Sequence, residues 1–92
     1  MTREGAETLA AEALAWIAAQ EDLLGVFLGA TGASPADLRG RADTPDFLAS
    51  VLDFLLMDDA WVIGFCRATG RAFTEPAAAR AALPGGDSVH WT

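Results

Sequence analysis

The sequence predicts an all-α fold, a compact bundle of about six short helices, and three observations carry that prediction. No stretch alternates apolar and polar residues with a period of two, the pattern of a half-buried strand. Apolar residues recur instead at helical spacing, so that Leu9, Ala13, Leu14, Trp16 and Ile17 share one helix face. Helix signals fall at short intervals: Ser34-Pro35, Thr44-Pro45, Asp58-Asp59 and Thr74-Glu75-Pro76 as starts, and Ala-Thr-Gly at Gly32 and again at Gly70 as stops.

Taken in order, the first helix is expected from about Arg3 to Gln20, with Glu4 and Glu7 near its positive N-terminal end. A second runs from about Asp22 to Thr31 and stops at Gly32, a residue suited to the left-handed conformation that ends helices. Ser34 as cap, Pro35 in the first helical position and Asp37 near the dipole's positive end open a short third helix to about Ala42. Thr44-Pro45-Asp46 repeats that signal and opens the fourth, to about Met57. Asp58 and Asp59 offer a cap for the fifth, which ends at Gly70. The sixth opens at Thr74-Glu75-Pro76 and finishes before Pro84.

The chain also matches itself. A shift of 38 positions lays Thr8–Gly32 on Asp46–Gly70, with six identities in 25 pairs: Ala11/Ala49, Leu14/Leu52, Phe27/Phe65, Ala30/Ala68, Thr31/Thr69 and Gly32/Gly70. The matches respect helical geometry, since Phe47, Val51, Leu52, Phe54 and Leu55 repeat the face set out by Leu9 to Ile17. A pseudo-twofold duplication of a three-helix unit is the expectation.

Ninety-two residues make one domain, placed at residues 1–84, with a flexible tail at 85–92. Thirteen carboxylates against six cations, all arginine, give a net charge of −7, which favours solubility and repels phosphate backbones. Cys66 is the single cysteine, so no intrachain disulfide forms, as suits a reducing compartment. The start, Met-Thr-Arg-Glu-Gly-Ala-Glu, lacks the basic-then-apolar order of a secretory signal. The longest uncharged run, Leu23 to Ala36, is 14 residues and interrupted by glycines, short of the ~20 apolar residues of a membrane span. A cytoplasmic location is expected, with no membrane partner.

Each sharp motif has a plainer reading. The second and third helices look like a helix-turn-helix with Arg39 and Arg41 facing a groove, the alternative reading of a nucleic-acid-binding regulator. Asp37 and Asp43 bracket those arginines, however, and phosphate neutralisation dominates such affinity, so nucleic acid is disfavoured. Glu21-Asp22 and Asp58-Asp59 read as helix caps. Cys66 reads as a small buried hydrophobe, and His90 sits in the tail beside Trp91 with no fixed geometry. With no positioned dyad, metal-ligand set or phosphate loop, neither catalysis, nor a cofactor, nor a metal, nor a small-molecule substrate is expected. Gly25-Val-Phe-Leu-Gly29 suggests close helix approach inside the fold.

The difference between the two copies carries the functional expectation. Leu56, Met57 and Ile63 lie beyond the main core face, and their counterparts are Ala18, Ala19 and Gly25. The second copy is thus apolar over roughly 200° of its long helix, wider than a surface helix needs. Either the fourth helix is central and covered all round, or Leu56, Met57 and Ile63, with Trp61 at the edge, form a surface for a protein partner or a homodimer.

With helices and caps placed, the run Pro45-Asp-Phe-Leu-Ala-Ser-Val-Leu-Asp-Phe-Leu-Leu-Met-Asp-Asp59 resembles a known pattern. So do Leu24-Gly-Val-Phe-Leu-Gly-Ala-Thr-Gly32, Pro35-Ala-Asp-Leu-Arg39 and Phe65-Cys66. Together they resemble the small bacterial proteins of domain-of-unknown-function family 3572. The resemblance implies a bacterial, cytoplasmic, helical protein of this length and brings no activity, cofactor or catalytic residue. A protein-interaction or adaptor module is the functional expectation.

Overall fold

The computed structural model describes residues 1–85, and their order is α1 (Arg3–Ala18), α2 (Glu21–Thr31), α3 (Pro35–Arg41), α4 (Pro45–Leu55), α5 (Asp59–Thr69) and α6 (Glu75–Ala81). Among the described residues there is no strand. All six expected helices are present, with ends within two residues of the sequence signals.

Local chemistry explains the ends. Thr2 caps α1 by accepting from the Gly5 amide at 3.0 Å. Ser34 and Asp37 form a reciprocal capping box on α3: Ser34 Oγ accepts from the Asp37 amide, and the Asp37 carboxylate accepts from the Ser34 amide at 2.9 Å. Asp58 caps α5 through the Ala60 amide. Gly32 and Gly70 end α2 and α5 at φ 72° and 74°, a left-handed backbone that a side chain would strain.

Three expectations about caps need correction. The cap of α2 falls on Gln20, so Glu21 and Asp22 lie inside the first turn and act through the helix dipole. Thr44 precedes α4 but donates its hydroxyl back to the Arg41 carbonyl, leaving no side-chain cap. Thr74 makes none either: its backbone is already helical, and Glu75 reaches back to accept from the Ala72 amide at 2.7 Å.

The main helix pairs are α1 with α4, α6 and α2, and α4 with α6 and α2. Burial on α1 follows the stripe Ala6, Leu9, Ala10, Ala13 and Ile17, all fully covered. Its alanines present little bulk and let neighbouring helices approach closely. By contrast, α4 is covered almost all round: Phe47, Leu48, Ala49, Val51, Leu52, Phe54 and Leu55 are buried, while Asp46 and Asp53 are exposed. Most of its apolar surplus is therefore interior.

Phe27 of α2 lies edge-on to Phe47 and Phe54 of α4, with centroids 6.0 and 5.2 Å away. Two ion pairs tie distant elements. Arg71, after α5, grips Glu12 of α1 with two bonds of 2.8 and 3.0 Å and Glu75 of α6 with a third of 2.9 Å. Arg80 of α6 donates to Asp53 of α4 at 2.6 Å and to the Pro84 carbonyl at 2.9 Å.

The structure does not establish the expected duplication, although some local features recur. Thr31 and Thr69 each donate to the carbonyl four residues back, and Phe27 and Phe65 are both fully buried. The edge-on contact of Phe54 with Phe27 has a counterpart in Trp16 with Phe65, at 6.2 Å and 68°. The main packing does not follow the exchange: α1 lies on α2 and α6, whereas α4 with α5 and α4 with α3 are not among the principal pairs. No single described helix is long and apolar enough to cross a membrane, and α1 and α2 are bent by 118° at their junction. Beyond Gly85, the tail expected to be flexible lies outside the described residues, as do His90 and Trp91.

Candidate functional site

Among the described residues, the surface offers two depressions beside α2 that combine apolar and acidic groups. One, of about 360 Å³, lies between the C-terminal end of α2, α3 and α4. Phe47 and Phe54 form its floor, Met57 stands at one end, and Asp37, Asp46, Asp53 and Arg41 are among its polar lining. The fold places these groups through α4, whose residues 46, 47, 50, 53, 54 and 57 recur on one face at helical spacing. The second, of about 570 Å³, lies at the start of α2 and is lined by Gln20, Glu21, Asp22, Leu23, Val26 and Trp61.

The four residues expected at a partner surface are distributed unevenly across this geometry. Met57 is 72% exposed and lines the first groove. Trp61 is half-buried, lines the second, and stacks on Phe54 with centroids 4.5 Å apart. Phe54 therefore backs both depressions. Leu56 is half-buried and lines neither. Ile63, 37% exposed, lies on the outer face of α5 with exposed Asp59 and Arg67. The structure joins Met57 and Trp61 through Phe54 and leaves Leu56 and Ile63 outside both grooves.

Val26, 51% exposed, was not legible as a surface residue, because every neighbour on α2 from Leu23 to Leu28 is apolar or glycine. Gly25 and Gly29 also correct an expectation. A Cβ added at either meets nothing within 4 Å, so this pair faces open space and mediates no helix approach inside the fold. The close approach occurs at Gly64 instead, where an added Cβ would sit 3.0 Å from the Trp16 ring.

The arginines of the alternative reading are both exposed on α3, a helix of seven residues. Arg41 lies over the Phe47 ring at 5.6 Å in the groove that also holds Asp37, Asp46 and Asp53. Cys66 is buried and its thiol donates toward the Ala72 carbonyl at 3.5 Å. Burial, and then the charge of Glu75, push that thiol's pKa up, away from the thiolate that reactive cysteines need.

An all-helical acidic domain with aromatic-floored grooves and a buried, protonated thiol is the class that fold and surface define. The chain belongs to the family described as protein of unknown function (DUF3572), whose model matches residues 3–86. No curated protein and no solved structure matches it.

Proposed function

We propose that this protein is an interaction module that binds a protein partner through the first groove and the adjoining Met57 and Trp61. The observation that carries the reading is Met57. A thioether 72% exposed, at the end of an aromatic floor, is an adaptable contact of the kind promiscuous binding surfaces use. Trp61 adds a large anchor whose ring is already fixed against Phe54, so little conformational freedom remains to be lost on binding. A catalytic role forms no part of the proposal.

Regulation through nucleic acid is the weaker reading. Arg41 is occupied with Phe47 and shares its groove with three carboxylates, a setting that opposes a phosphate backbone.

Met57→Glu tests the proposal more cleanly than any change at half-buried Leu56. Substitution at so exposed a site should alter stability by no more than about 0.5 kcal/mol. Circular dichroism and melting should match wild type, while sedimentation or capture from the native lysate loses the associated species. If wild type neither self-associates nor retains a protein, or if Met57→Glu retains it equally, the interaction reading falls.

A further inference from the structure

The geometry points to a basic, apolar segment of a partner protein as the occupant of the groove between α2, α3 and α4, a statement that rests on the reading above. Charge complementarity selects that occupant. Three carboxylates and one guanidinium line the groove, and with Arg80 paired to Asp53 one net negative charge remains there. Of the carboxylates, Asp37 is engaged with the Ser34 amide and Asp53 with Arg80, while Asp46 is exposed and makes no bond with another described residue. Asp46 is thus the acceptor left for an incoming cation.

Arg41 already demonstrates the chemistry: a guanidinium rests over the Phe47 ring beside these acids. A partner's arginine or lysine reaching Asp46, with an aliphatic side chain laid against Met57, repeats that arrangement in trans. A second copy of this chain complements the groove poorly. Each copy carries net −7 and no lysine, and Arg3, Arg71 and Arg80 are already paired with carboxylates. Like charge steers copies apart and a cationic segment in.

The test uses a fluorescein-labelled helical peptide of leucines and arginines in amphipathic spacing, and its counterpart with glutamate for arginine, titrated with the full chain. The leucine–arginine peptide should bind with a Kd on the order of 10–100 µM at low salt. Binding should weaken as added salt screens the charges, and the glutamate peptide should not bind. Asp46→Arg should weaken binding by at least about tenfold, whereas Asp59→Arg should change it by less than about threefold. The two are matched, because both carboxylates are exposed, sit in the first turn of a helix and shift net charge equally. Asp46→Asn supplies a milder variant should the reversal perturb α4.

No binding at about 1 mM protein, or equal weakening by both reversals, overturns the inference, the latter by showing general attraction to an acidic surface. Should the peptide fail while Met57→Glu still abolishes association of the native protein, the interaction reading stands and this choice of occupant falls.

Discussion

Arg71 holds two carboxylates at once, and its grip on Glu12 is bidentate, the geometry in which an arginine pair is strongest. The hydrogen bond from Arg71 holds the Glu12 carboxyl below its ordinary range, a shift that partial desolvation opposes and the arginine's charge reinforces. A folded-state pKa below the unfolded value means the unfolded chain binds the extra proton. Stability from this pair is therefore complete above the ordinary carboxylate range and is lost as pH falls through the lowered value. Thermal melts between about pH 6 and pH 3 should show that loss, and Glu12→Gln should flatten the part of it that Glu12 causes. Because Glu12 is more than a third exposed, solvent screening limits the pair, and Glu12→Gln, which leaves the Arg71–Glu75 bond in place, should cost no more than about 1 kcal/mol. Nothing in the sequence announced this contact: Glu12 and Arg71 are 59 residues apart, and only the packing of α1 against the segment after α5 brings them together.

Helix ends were the most legible feature of the chain, because caps and glycine stops are local chemistry. Ser34, Asp58, Gly32 and Gly70 do what their residue types dictate. Faces were less legible. The pattern of α2 is apolar nearly all round, so its own residues do not say which side is covered, and Gly25 and Gly29, whose spacing suits an interior contact, face outward. Met57 was legible because its counterpart in the repeat is Ala19, and that mismatch marked an apolar residue the core does not require. A substitution series at the glycines follows. Gly25→Ala and Gly29→Ala enter open space in a helix and should each stabilise by about 0.5–1 kcal/mol. Gly64→Val, which copies the matched residue Val26, should destabilise by about 1–3 kcal/mol because Trp16 stands in the way. Urea titrations of the three variants would show opposite signs.

At the scale of the whole molecule, α1 and α4 together form the hub on which α2 and α6 pack, and the radius of gyration of 12.2 Å is that of a tightly folded chain this size. Phe27 is the element of α2 most committed to that hub, through its edge-on contacts with Phe47 and Phe54. Phe27→Ala should cost about 3–5 kcal/mol, a large share of the stability of a domain this small. The melting midpoint should fall by at least about 12 °C or the transition should lose its cooperativity, while Phe73→Ala, at an exposed ring, leaves it almost unmoved. The groove inherits its rigidity from the same hub, since its floor is the back of the core aromatics. One latch on that hub also governs the charge beside the groove. Arg80 clasps the Pro84 carbonyl and Asp53 together, so the described chain ends beside the rim of the groove. Arg80→Gln would release both at once and leave the Asp53 carboxylate without its cation at that rim.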